Sequence, residues 1–185
     1  SDLMTGMPAT TLLHLGPGLG NGIANLHNAR RASTPVINLI GNHALYHMDY
    51  DAPLTSDIGT LAKNVSSWVK GDSTASSLAT DGMLALQFAL TAKPGSAGQI
   101  STMIIPADAC WNEEGAAASY INAPERRKVD DKVVSEVAQL LDNSSMILIN
   151  SDGLSIEARI AANRISEKTG CRVSMTPFPS RVDGG

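Results

Sequence analysis

The strongest constraint in this chain is an alternation. Short runs of β-branched and aliphatic residues, each about strand length, are separated by longer Ala-rich stretches with helical spacing. Parallel strands need long crossover connections, and helices supply them, so the pattern predicts an α/β fold around a parallel sheet. Thr10 to Leu15, Val36 to Ile40, Val65 to Val69 and Ile100 to Ile105 read as strands. Between them, Leu19 to Ala32 carries Ile23, Leu26 and Ala29 at helical intervals, Ser56 to Ala62 is a short helix capped by Ser56 or Asp57, and a longer helix runs from Ser73 or Thr74 to about Thr91. Gly16-Pro17-Gly18-Leu19-Gly20 reads as a break after the first strand, Gly41 to Thr55 as a loop, and Lys93-Pro94-Gly95 as the end of the long helix.

Periodicity is lost from Asp108 to Lys128, which predicts a connection. Beyond it, Val129 to Leu141 is an amphipathic helix with Val133, Val137, Leu140 and Leu141 on one side. Met146 to Asn150 is a strand, Ile156 to Lys168 a helix ended by Gly170, and Arg172 to Met175 a strand. The chain thus reads as residues 1–112, a linker at 113–128 and residues 129–185. It opens at Ser1-Asp2-Leu3-Met4 and closes in a loop from Pro179, so it reads as cut from something longer. Aromatic residues make up only 4% of the 185, so any core must be built from Ala, Leu, Ile, Val and Met.

Composition excludes several functions. The net charge is −4, and the densest basic cluster, Arg126-Arg127-Lys128, is too small for a nucleic-acid surface. No apolar run approaches the roughly 20 residues of a membrane span. Cys110 and Cys171 lack the spacing of a metal or redox motif, and a reducing cytoplasmic setting follows by default.

The chemistry concentrates in Leu13-His14-Leu15-Gly16-Pro17-Gly18-Leu19-Gly20-Asn21-Gly22. Glycines after a strand let backbone approach a ligand, and a helix beginning there directs free N–H groups outward. The spacing departs from the dinucleotide fingerprint, because Asn21 holds its last glycine position. His14 falls at the end of its strand, where open α/β sheets collect ligands. Its imidazole is suited either to proton exchange with a carbonyl substrate or to a hydrogen bond within a subunit contact. His43 and His47 are four apart, a spacing that binds zinc on a helix, but Asp51-Ala52-Pro53 argues for a polar loop bordering an active site or an interface, and no metal is expected. No Gly-x-Ser-x-Gly elbow is present.

Several of these motifs, taken in order, resemble one family. His14 through Gly22, Asn25-Leu26-His27-Asn28-Ala29-Arg30-Arg31-Ala32, Thr34-Pro35-Val36-Ile37-Asn38, Gly41-Asn42-His43-Ala44, Tyr50 through Ile58, Val65-Ser66-Ser67-Trp68-Val69, and Pro106-Ala107-Asp108 with Trp111-Asn112-Glu113 are similar to the acetolactate-synthase-like thiamine-diphosphate enzymes. The likeness spans about residues 5 to 114. The remainder is more weakly similar to the opening of the family's middle domain.

The resemblance implies a Rossmann-like three-layer pyrimidine-binding domain, incomplete here, followed by part of a middle domain. It implies a 2-keto-acid decarboxylase or carboligase using thiamine diphosphate and magnesium in its full-length form, assembled as a homodimer or tetramer. His14 aligns with the catalytic histidine of benzoylformate decarboxylases. Gly16, Pro17, Gly18 and Asn21 match the loop beside the cofactor's pyrimidine ring. His43, Asp51, Pro53, Leu54 and Thr55 match segments lining the active site. True acetolactate synthases carry glutamine near Leu54, and Asn42 stands where many relatives have aspartate. The family's activating glutamate and its Gly-Asp-Gly diphosphate motif have no counterpart in this sequence; Asp152-Gly153 lacks the first glycine. By itself the chain is therefore expected to bind no cofactor tightly and to be inactive. Two rival readings are a non-catalytic module that binds itself or a partner, and a nucleotide-binding α/β protein.

Overall fold

The computed structural model describes residues 7–91, 98–122, 128–149, 153–175 and 181–182. The expected features at Lys93-Pro94-Gly95, Arg126-Arg127, Asn150 and Asp152 lie outside them. The chain divides into two compact units, Ser1–Pro124 and Glu125–Gly185.

In the first unit the elements follow as β1 (Ala9–His14), α1 (Leu15–Arg31), β2 (Val36–Asn42), a 3-10 turn (Leu45–Tyr50), α2 (Ile58–Lys63), β3 (Trp68–Lys70), α3 (Leu78–Leu90), β4 (Ile100–Pro106) and α4 (Ala107–Trp111). The strands form one parallel sheet in the order β1-β2-β4-β3, so β4 inserts between its two predecessors. This is the α/β, parallel-sheet architecture that the alternation predicts. Side chains alternate across the sheet. On one face Val36, Ile40, Ile100 and Ile104 meet Leu19 and Leu26 of α1, Ile58 and Ala62 of α2, and Val65. Burying each such aliphatic side chain contributes roughly 2 kcal/mol. On the other face Ser101 Oγ donates to the Ala85 carbonyl of α3 at 2.7 Å, and Phe88 stacks on Trp68 with centroids 5.3 Å apart.

A polar row crosses the aliphatic face. Thr11, Asn38 and Thr102 stand side by side in the register of β1, β2 and β4. Thr11 Oγ1 donates to Asn38 Oδ1 at 2.7 Å, Asn38 Nδ2 donates to Thr102 Oγ1 at 3.2 Å, and the Thr102 and Ser66 hydroxyls are 2.6 Å apart. Asn38 has no exposed surface, so these bonds offset the desolvation that an isolated amide would suffer.

One expectation fails at the start of α1. The Gly-Pro-Gly run is no break: the helix begins at Leu15, directly after His14. Pro17 falls in the first turn, where its missing N–H is not needed. The change of direction is taken up by Leu15, buried and left-handed at φ 56. Likewise, the segment expected to be a loop from Gly41 to Thr55 contains the 3-10 turn. Asp57 does cap α2, accepting from Thr60 N at 3.0 Å.

The second unit contains α5 (Asp131–Leu141), β5 (Met146–Ile149), β6 (Gly153–Leu154), α6 (Ile156–Thr169), β7 (Arg172–Met175) and β8 (Arg181–Val182). β5 pairs with β7, and β6 with β8, both in parallel. The pairing of Arg181–Val182 corrects the expectation of a loop there. Gly170 ends α6 at φ 75, as a left-handed C-cap requires. Cys171 Sγ donates to the carbonyls of Ser144 at 2.7 Å and Leu141 at 3.3 Å, fastening the end of α5 to the start of β7. Val133, Val134, Val137 and Leu140 of α5 are all exposed.

Candidate active site

Three strands of the first unit end together. In register, His14 of β1 faces Gly41 of β2, and Asn42 of β2 faces Pro106 of β4. The C-terminal edge of a parallel sheet is where α/β proteins bind ligands, and an open cleft of about 490 Å3 lies here. His14 and Leu15 come from the β1–α1 elbow, and Asn42, His43 and Ala44 from the end of β2. Tyr46 and His47 come from the 3-10 turn, Pro53 and Leu54 from the next loop, and Ala107 and Trp111 from α4.

The walls are fixed by a small set of bonds. Asn42 Oδ1 accepts from His43 N at 2.9 Å, and Asn42 Nδ2 donates to Met48 Sδ at 3.5 Å. Asp108 Oδ1 accepts from Leu45 N at 3.1 Å, tying the 3-10 turn to α4. His43 Nε2 lies 3.1 Å from the Pro53 carbonyl. A carbonyl only accepts, so Nε2 carries a proton and donates it. The His43 and His47 rings meet edge to face with centroids 6.1 Å apart, and His47 lies 5.5 Å from the Tyr50 ring. Among the described residues no group of three or more His, Cys, Asp or Glu side chains could hold a metal.

Pro53 and Leu54 occupy the centre of a tight turn. Thr55 N donates to Ala52 O at 3.0 Å, and Leu54 has φ 72. Proline second and positive φ third mark a type II turn, whose third position ordinarily takes glycine or asparagine. Leu54 stands there at 51% exposure, and the cleft is flanked by a second left-handed leucine, Leu15. Backbone strain of this kind clusters at ligand-binding sites.

Of the residues singled out from sequence, His14, His43, Pro53 and Leu54 line the cleft. Asp51, left-handed at φ 46, ends the 3-10 turn outside the lining. Thr55 is also outside it, its Oγ1 buried without a partner. Gly16, Pro17, Gly18 and Asn21 all lie in the first turns of α1 and do not line the cleft. Gly16 faces Ser56 instead. Reasoning from sequence did not place Asn42, Tyr46 or Trp111 in the site, although the ends of β2 and β4 point to Asn42 and Ala107; it put His47 only in a bordering polar loop.

Residues 2–64 match the thiamine pyrophosphate enzyme N-terminal TPP-binding domain. Over 184 residues the chain is 42% identical to a Mycobacterium tuberculosis protein named as a candidate acetolactate synthase large subunit, IlvX; the match covers 98% of this chain and 34% of that protein. The chain is similar to the thiamine-diphosphate enzymes along about a third of their length. Its fold matches, with a TM-score of 0.82 and 23% identity, a candidate thiamin diphosphate-dependent enzyme from Mycobacterium smegmatis, over 97% of this chain and 35% of that one. The benzoylformate decarboxylase of Polynucleobacter necessarius matches with a TM-score of 0.78 and 22% identity, over 97% of this chain and 34% of that one. The chain thus spans about a third of the length of the relatives it matches.

Among the described residues, those lining the cleft include three imidazoles and no carboxylate, lysine or arginine. Such a lining suits a flat ring and a small carbonyl compound. It does not suit magnesium or a diphosphate, which want hard oxygen ligands and strong cationic donors.

Proposed function

We propose that this chain forms the pyrimidine-side wall of a thiamine-diphosphate-dependent 2-keto-acid decarboxylase or carboligase. The observation that carries the reading is His14, exposed at the end of β1 and set into a cleft with His43, His47 and Trp111. When bound, the cofactor supplies the nucleophilic carbon and the electron sink of the reaction. This chain's part is to shape the cleft and to move protons. His14 exchanges a proton with the substrate's carbonyl oxygen or carboxylate. His43, held by Pro53 O, keeps its ring fixed as a wall, and Leu54 and Trp111 exclude water from the reacting carbon. Magnesium and diphosphate binding fall to other parts of the assembly, since the chain carries no Gly-Asp-Gly motif. The unassisted chain therefore turns over negligibly.

The test adds benzoylformate or pyruvate to the chain and follows the imidazole resonances of all four histidines. Perturbation of His14, His43 and His47, with His27 on α1 unmoved, supports the reading; no response at His14 up to tens of millimolar rejects it. Rapid turnover by the chain with thiamine diphosphate and magnesium would contradict the division of labour.

A second reading, a self-associating module, is favoured by the edges of the units. Among the described residues β1 pairs on one side only, Leu12 is 77% exposed, and the apolar side of α5 faces solvent. Unpaired edges invite association. Light scattering decides it: a homodimer or tetramer supports it, and a monomer at high concentration does not. Among the described residues no helix is long and apolar enough to cross a membrane.

A further inference from the structure

The strained turn carrying Pro53 and Leu54 needs a hold, and the structure provides one that the family likeness does not name. Ser56 Oγ donates to the Leu54 carbonyl at 3.2 Å, and Ser56 O accepts from Ile58 N at 2.9 Å, anchoring the serine to the start of α2. The Ser56 side chain lies against the bare Cα of Gly16: a Cβ built on Gly16 would overlap both Oγ and Cβ of Ser56. Gly16 has a negative φ, so the absence of a side chain there answers to space and not to backbone conformation. One contact therefore joins the two strained leucines of the cleft. On one side stands Leu15, next to Gly16 and to His14. On the other stands Leu54, bonded to Ser56.

We infer that Ser56, seated in the space left by Gly16, is a positioning residue that fixes the distance between the His14 elbow and the Pro53–Leu54 wall. Gly16 thus serves to admit Ser56, a role different from approach to a ring. The inference rests on the proposed function only in supposing that the cleft holds a ligand; the wall's position can be read without one.

The experiment is a double-mutant cycle on the full chain with Gly16→Ala, Ser56→Gly and the pair. The primary readouts are amide exchange at Thr55, which reports the turn, and the His43 ring resonances, which report its bond to Pro53 O. With Ser56 in place, Gly16→Ala is expected to speed Thr55 exchange by about tenfold or more and to shift His43, with Ile40 and Met103 amides unchanged. Added to the Ser56→Gly variant, the same substitution should do neither, because neighbours in contact deviate from additivity on this scale. Equal effects on both backgrounds, or none, overturn the inference. If Gly16→Ala folds only together with Ser56→Gly, the contact is established; if neither folds, it is refuted. Ser56→Ala is a further check: unchanged Thr55 exchange would also count against the hold.

Benzoylformate titration of the same four proteins separates the two ideas. Binding by the native chain that weakens in Gly16→Ala, in Ser56→Gly and in the pair, with no further loss when Gly16→Ala is added to Ser56→Gly, supports both. No binding by any of them counts against the proposed function, while Thr55 and His43 still decide the role of Ser56.

Discussion

Alanine and glycine at position 54 isolate the strain in the turn. Leu54 sits at φ 72, where a Cβ crowds the backbone at a cost of roughly 1–2 kcal/mol. Leu54→Ala keeps that Cβ and loses an isopropyl group that is about half buried, worth about 1 kcal/mol. Leu54→Gly loses the same group, removes the crowding, and gives the unfolded chain extra freedom costing about 0.5–1 kcal/mol. The difference favours glycine over alanine by about 1 kcal/mol, the reverse of the order at ordinary exposed positions. Urea unfolding followed by tryptophan fluorescence measures it cleanly. Both tryptophans, Trp68 and Trp111, belong to the first unit, so the signal reports the unit that holds the turn. A gap of about 4 °C in melting temperature should accompany it. If alanine proves as stable as glycine, the turn is not strained and Leu54 is not held at a conformational cost.

Two further substitutions probe the frame. Asn38→Asp would place a carboxylate with no exposed surface between Thr11 and Thr102, and should destabilise by about 3 kcal/mol or more at neutral pH. Burial raises that carboxyl's folded-state pKa, so the variant should recover stability as the pH is lowered; a flat pH profile in urea would refute this. At Asp57, the Thr60 hydroxyl and N–H hold the carboxyl below its usual range, with Lys63 adding to the effect. The stability this gives is fully present above the unfolded-state value and is lost as pH falls through the depressed folded value, below about pH 4. Asp57→Asn keeps an N-cap while removing that acid-side loss, which thermal melts from about pH 2 to about pH 5 would reveal as a shallower slope.

The strands and helices are largely legible in the sequence because their signals are local. β2 and β5 show as runs dominated by aliphatic residues, and Gly170 marks the end of α6 by its need for positive φ. The start of α1 is not legible, for a physical reason: glycine and proline ordinarily break a helix, but Pro17 falls in the first turn and Gly16 is selected by a residue 40 positions away, Ser56. The site is legible where it coincides with a strand end or a local motif, as at His14 and His43. It is not where it depends on long-range order. Trp111 reaches the cleft because β4 inserts beside β2, and Tyr46 and His47 reach it through a 3-10 turn that leaves no periodic trace.

The row of Thr11, Asn38 and Thr102 also has a bearing on the cleft. The flanking strand residues on its face are nearly interchangeable aliphatics, so little else distinguishes correct alignment from a slip by one or two places. Sliding β2 one residue would turn its amide to the opposite face of the sheet; sliding it two would leave the amide between Ile100 or Ile104 of β4 and Ala9 or Leu13 of β1. Counting from the row, β1 reaches His14 three residues later and β2 reaches Asn42 four residues later, about 10–13 Å along the strands. The amide of Asn38 therefore acts as the index mark from which the floor of the cleft is measured, and engineering that repacks this interior with hydrocarbon would risk losing the cleft while keeping the fold.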